Sequence, residues 1–407
     1  MLTPEYLLHI SEGGEKIAEA LHQDILDKII ERIILRLDRE DGYILTAQDK
    51  WQIQVLEESG ILLDEIQKEI AKRTGQMQAE IAEAMEDAGV KALSYDDEIY
   101  RAAGLSPVAL EESPHLVRIM QRNYEATMGS WSNFTRTVAN AGQQLFIKSC
   151  DSAYMQVASG ATSYSEALKD VIERIVSDGV EVTYPSGHTD TIETATLRCI
   201  RTGVSQATGG IQMARMEEMD WDTILTSAHV GARPGDGGAN GTNHIWWQGR
   251  FFSRTGKDKR FPPFAESTGY GTVTGLCGAN CRHSFGPGDG VHNPFDTKDI
   301  NYADQYQAYE TQQRQRTLER RIRKTKREAM GYRTAMENAQ TDATRKELER
   351  KYQRKAALLQ RQNAAYNEFC EENGLKKLNE RLTIARWNRS EAAKARAAAK
   401  KWNDAHE

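Results

Sequence analysis

The chain is poor in several features, and each shortage limits what it can be. Five cysteines in 407 residues cannot make a disulfide scaffold, and one must stay unpaired, which favours a reducing compartment. No apolar run approaches the ~18 residues that cross a bilayer, so no membrane anchor is expected. The opening residues Met1 to His9 have no basic start followed by a long apolar stretch, so no secretory signal is expected either. The glycine clusters Gly235-Asp-Gly-Gly238 and Gly286-Pro-Gly-Asp-Gly290 lack the order of a phosphate-binding loop and its lysine. No Gly-x-Ser-x-Gly occurs, which removes a hydrolase nucleophile elbow. With 39% hydrophobic and 28% charged residues, the chain is of the folding class, and its length suits two or three domains of about 150 residues.

Charge is unevenly placed. The net charge is −6, yet residues 311–407 hold 25 Lys+Arg against 13 Asp+Glu, leaving 28 against 46 in residues 1–310. Blocks of opposite sign point to different partners. The densest basic run is Arg320, Arg321, Arg323, Lys324, Lys326 and Arg327. On a helix it spreads cations around most of the circumference, a surface for phosphates without base specificity or for an acidic protein.

Periodicity divides the chain into three regions and predicts an α+β protein. Residues 1–160 read as a helical N-terminal domain. Ile25, Ile29, Ile30, Ile33, Ile34 and Leu37 form one helical face, expected to end at Gly42. A second helix opens at Asp49-Lys-Trp51 and is expected to break at Gly60. Ser113-Pro114 is a start signal for a further helix, proline-free from Tyr124 to Val157.

Residues 161–300 read as a small α+β module. Ser163-Tyr-Ser-Glu166 is a capping box, Val180 to Thr191 a hairpin, Ile192 to Met219 a helix, and Trp221 to Ser227 a strand. Of 31 glycines, 14 lie between Gly231 and Gly290, interleaved with Trp246, Trp247, Phe251, Phe252, Phe261, Phe264, Tyr270 and Phe285. That mixture predicts irregular loops closed over short strands, since a flexible linker would lack the aromatics. Residues 301–407 read as a basic helical arm, a coiled coil or helical hairpin, ending at Asn373-Gly374. The alanine-rich stretch after Ser390 has little apolar face and is expected to fray until it meets a partner.

The chemistry-bearing side chains lie in the glycine-rich module. Cys277-Gly-Ala-Asn-Cys281-Arg-His283 offers two thiols and an imidazole, with His229 or His244 as a fourth donor; zinc takes such ligands. The metal-ligand candidates are therefore Cys277, Cys281, His283 and His229. A second reading groups His229, Arg233, His244, Gln248 and His283 as a nuclease-like or toxin-like cluster. Two histidines would act as base and acid on a phosphodiester, and an arginine would stabilise the charge building on phosphorus. The bland alternative is a set of loop-bracing hydrogen bonds.

Four ordered blocks carry a family resemblance: His229-Val-Gly-Ala-Arg-Pro234, His244-Ile-Trp-Trp-Gln-Gly-Arg-Phe-Phe252, Thr268-Gly-Tyr-Gly271 and Gly275-Leu-Cys-Gly-Ala-Asn-Cys-Arg-His-Ser-Phe285. Together with Leu2-Thr-Pro-Glu-Tyr6, the Trp51-Gln-Ile segment and the run from Arg314 to Arg327, the chain resembles the phage minor capsid protein 2 family, similar in role to Mu F-type head morphogenesis proteins. One departure is the glycine-rich spacer Gly235 to Asn243, longer than the family's usual link. The resemblance implies a low-copy, portal-associated protein of a tailed-phage head, active in head assembly or in DNA packaging and ejection. It implies portal or capsid proteins as partners, packaged DNA at the basic arm, self-association as a further contact, and no catalytic residues to carry over. The place implied is the virion, and the host cytoplasm during assembly.

Overall fold

Apolar side chains at three- and four-residue spacing bury one helical stripe each, and the chain accordingly folds mostly as helix with a few short antiparallel strands. The structure, a computed structural model, describes residues 1–38, 48–184, 186–295 and 302–406. In order these form α1 (Pro4–His9), α2 (Glu12–Leu37), α3 (Gln48–Ala102), α4 (Pro114–Ala158), α5 (Tyr164–Asp178), β1 (Glu181–Thr183), β2 (Thr189–Thr191), α6 (Ile192–Glu218), β3 (Thr223–Thr226), α7 (His244–Trp247), β4 (Phe251–Ser253), α8 (Phe264–Thr268), β5 (Phe285–Pro287), α9 (Tyr302–Asn338), α10 (Asp342–Glu372) and α11 (Arg389–His406). The stop expected at Gly42 lies outside the described residues. The Ser163 capping box, the Ser113-Pro114 start, the β1–β2 hairpin and the stop at Asn373-Gly374 form as expected.

The break expected at Gly60 does not form, because α3 runs unbroken for 55 residues. Gly60 is exposed with nothing around its α-carbon, so it costs the helix about 1 kcal/mol and does not end it.

Contacts gather the chain into two units, each built from three separate segments. Unit one is Met1–Glu15, Gln76–Ser132 and Thr196–Gln313; unit two is Lys16–Gly75, Asn133–Ala195 and Arg314–Glu407. This grouping cuts across the three consecutive regions read off composition, because the chain changes unit inside α2, α3, α4, α6 and α9 and not at linkers.

In unit one, the sheet β4-β3-β5 pairs Ile224 with Phe252 and Thr226 with Phe285. Its aromatics join Tyr100, Met216, Trp247, Phe264 and Leu276 in one core. The loops around it approach backbone to backbone. A Cβ on Gly275 would lie 2.1 Å from Gly269 O, and one on Gly241 would lie 2.6 Å from Gly269 Cα. Gly269 has φ 62°, a left-handed conformation that suits glycine. Hence Gly241, Gly269 and Gly275 answer a packing requirement, whereas Gly237, Gly256 and Gly271 have open space and a left-handed φ. The long spacer is braced as well: Asn240 Nδ2 donates to Asp236, and Asn243 Nδ2 donates to Gly238 O at 2.8 Å.

In unit two, acidic groups from the first half of the chain meet donors from its last third, with His22 adding to one of them. Asp38, at the end of α2, accepts from the Thr341 amide at 3.1 Å and the Thr344 hydroxyl at 2.7 Å, capping the first turn of α10. Arg386 pairs with Asp24 and with Asp27, the latter at 2.5 Å. Buried Glu193 accepts from His22 Nδ1 at 2.9 Å and from Arg327 at 3.3 Å. Burial raises the Glu193 carboxyl, but His22, Arg327 and the hydrogen bonds outweigh it and hold it well below the usual carboxylate range.

Helices α9 and α10 run antiparallel, with Gln315 beside Cys370, Glu319 beside Tyr366 and Glu328 beside Lys355, which is the expected helical hairpin. The fraying expected after Ser390 is corrected. Ala395, Ala398 and Ala399 are buried and α11 packs on α10, so small side chains supply the face that a count of large apolar residues overlooks.

Three outcomes follow for stability. Gly60→Ala should raise the stability of the full chain by about 0.5–1 kcal/mol in urea unfolding. Gly275→Ala, the same change against backbone, should lower it by about 1–3 kcal/mol. Arg327→Met should cost about 1–3 kcal/mol at neutral pH by leaving buried Glu193 to His22 alone, and adding Glu193→Gln should recover part of that loss. A carboxyl lowered by folding contributes stability above its unfolded value and loses it in acid. The gap between wild type and Arg327→Met should therefore narrow as pH falls below about 4, measured by unfolding across pH.

Candidate functional site

One turn of helix and two loops of unit one bring the chemistry-bearing side chains together. Asn243 caps the short helix α7 and places His244 at its start. The loop after α8 turns through Thr274 and reaches Cys277 and Cys281, with Cys277 (φ 60°) and Asn280 (φ 57°) both left-handed although neither is glycine. Such backbone strain persists only where the surroundings hold it. His283 follows two residues later, just before β5.

His244 and His283 are 2% and 1% exposed, and Cys281 is 2% exposed. Cys281 Sγ lies 3.8 Å from His244 Nδ1 and 3.7 Å from His283 Nδ1. His244 Nε2 faces Thr274 O at 2.9 Å, and a carbonyl only accepts, so that nitrogen carries the hydrogen. His283 Nε2 faces Gln248 Oε1 at 3.0 Å, and the same oxygen accepts the His229 amide at 3.0 Å, so it too is an acceptor. Both rings therefore point a lone pair at the one sulfur. Trp247 packs on both rings, with centroids 4.6 and 4.8 Å away.

Burial lowers His244 to about 4 and His283 well below the usual imidazole range, with neighbouring cationic groups adding to the effect. Burial likewise pushes the Cys277 and Cys281 thiols up. The centre is thus neutral and closed to solvent.

The remaining residues singled out by sequence fall around it. The His229 ring stacks on His283 at 4.3 Å, and Arg282 reaches His229 Nδ1 at 3.4 Å. Arg233 donates to Ala279 O at 2.7 Å and Thr274 O at 3.5 Å, tying the cysteine loop to the strand side. Cys277 Sγ is turned toward Gly209 of α6, within the apolar core. Among the described residues, the group whose ligand atoms all lie within 4.8 Å of one another is His244, Cys281 and His283, so the structure joins His244, and not His229 or Cys277, to the other two. Sequence reasoning did not find Thr274, because a backbone acceptor leaves no signature in its side chain. An acid–base pair acting on a phosphodiester needs rings open to substrate, whereas both of these commit Nε2 to internal acceptors.

In unit two the six cations of the basic run divide. Arg320, Arg321 and Lys324 are exposed on α9. Arg323 donates to Arg381 O at 2.9 Å, Lys326 donates to Leu382 O beneath Trp387, and Arg327 pairs with Glu193. Burial, with Arg323 nearby, draws the Lys326 ammonium down to about 8. The cations do not ring the helix freely, because half of them are bonded within the fold.

No helix among the described residues is long and apolar enough to cross a membrane. All five cysteines are free thiols. No curated protein and no solved structure matches the chain. A family model described as phage minor capsid protein 2 matches residues 2–360, so the chain belongs to the phage minor capsid protein 2 family.

Proposed function

We propose that this protein is a structural component of a tailed-phage head, held at the portal vertex, where it serves head assembly and the packaging or ejection of DNA by binding and not by turnover. Membership of the minor capsid family over residues 2–360 is the observation that carries this reading. It supports a virion structural role, with other head proteins as partners. The closed, neutral histidine–cysteine centre agrees with a bracing module. The exposed cations Arg320, Arg321 and Lys324 are the part of the basic arm suited to phosphate contact, since they are not bonded into the core.

Cross-linking mass spectrometry on intact particles should recover links from this chain to portal or neighbouring capsid subunits. Mature particles that lack the chain, or links confined to the tail, would overturn the placement. The full chain should be retained on DNA at low salt and released as salt rises. Replacing Arg320, Arg321 and Lys324 together by Gln should flatten the slope of log affinity against log salt by about 2.7, with an unchanged Tm. An unchanged slope would remove DNA from its partners.

A further inference from the structure

Counting protons at the buried centre exposes a deficit. Both Nε2 atoms are donors, to Thr274 O and to Gln248 Oε1, so both Nδ1 atoms are bare acceptors aimed at Cys281. The thiol has a single proton, and it also faces the His283 carbonyl at 3.9 Å. At least one imidazole lone pair, more than nine-tenths buried, is left facing sulfur with no hydrogen to accept. The sulfur in turn receives the His283 amide at 3.4 Å, a contact that favours its thiolate form.

We propose that His244 Nδ1, Cys281 Sγ and His283 Nδ1 bind a zinc ion. A cation at their centre satisfies all three lone pairs at once. Sulfur and nitrogen at their usual zinc distances of ~2.3 and ~2.0–2.1 Å, at a tetrahedral angle, lie about 3.6 Å apart. The observed sulfur–nitrogen separations of 3.8 and 3.7 Å need only a slight contraction, and the two nitrogens, within 4.8 Å of each other, close to about 3.4 Å around the ion. The Thr274 carbonyl and Gln248 Oε1 supply the outer hydrogen bonds that hold metal-bound imidazoles in one tautomer. On binding, the Cys281 S–H bond breaks, its proton leaves to solvent, and a sulfur–zinc bond forms. Three side chains leave one tetrahedral position open, for a water that would enter with the ion. Cys277 is not a ligand, since its sulfur is turned toward Gly209. The ion would join α7 to the cysteine loop and the edge of β5, locking the module from inside.

The test uses the full chain, purified without chelator. Elemental analysis should find about one zinc per chain. A strong chelator should remove it and lower Tm by several degrees, and added zinc should restore both. Cobalt in place of zinc should give the intense ultraviolet absorption of a thiolate–cobalt bond. Cys281→Ser and His283→Gln should lose the metal, whereas Cys277→Ser should keep it. Should the ligand variants fail to fold, the chelator and cobalt measurements on the unaltered chain still decide. A chain without metal, whose Tm responds to neither chelator nor added zinc, would overturn the proposal. So would copper in place of zinc, or metal lost equally from Cys277→Ser. None of these outcomes touches the head-protein reading, which rests on family membership and is tested in particles.

Discussion

Buried carboxylates that require donors from far along the chain are the constraint on which unit two depends. Asp24, Asp27, Asp38 and Glu193 are all largely out of water. An ionised carboxylate there is tolerated only when paired and hydrogen-bonded. Their partners include Arg386, Thr341, Thr344 and Arg327 from after residue 326, beside the earlier donors His22, Gln23 and Arg73. The opposite charges of the early and late chain, which at first suggest different external partners, thus serve in part to find each other. The acidic helix α2 and the basic hairpin are two halves of one body.

Unit one is held by a different means. Its loops close because glycine backbones touch directly, at Gly241, Gly269 and Gly275. That contact sets the path of the loop bearing Thr274, and the Thr274 carbonyl sets the tautomer of His244. Gln248 does the same for His283 while bracing the His229 amide. The chemistry of the centre is therefore a consequence of loop packing, one hydrogen bond removed.

Local signals were legible in the sequence. The Ser163 box, the Pro114 start and the β1–β2 hairpin each depend on a few adjacent residues, and each forms. The C-x3-C-x-H order keeps Cys281 and His283 together, but nothing local distinguishes His244 from His229. Which ring meets the sulfur depends on the course of residues 235–243 and on an acceptor at Thr274, both tertiary facts. The basic run was legible as charge and as helix. Its division into Arg320, Arg321 and Lys324 outside and Arg323, Lys326 and Arg327 inside depends on residues 381–387 folding back over α9. Gly60 shows the limit of reading glycine as punctuation, because with helical neighbours on both sides it is simply a weak helix residue.

The capping of α10 by Asp38 bears on how the molecule is made. Chain leaves the ribosome at about 5–20 residues per second, and domains close as their parts emerge. Every segment of unit one is out by Gln313, whereas unit two still awaits its final portion. During that interval Asp38 lacks its α10 donors, and Asp24 and Asp27 have Arg73 and Gln23 but not yet Arg386. A chain that ended before Thr341 would leave the Asp38 carboxylate without the donors it caps.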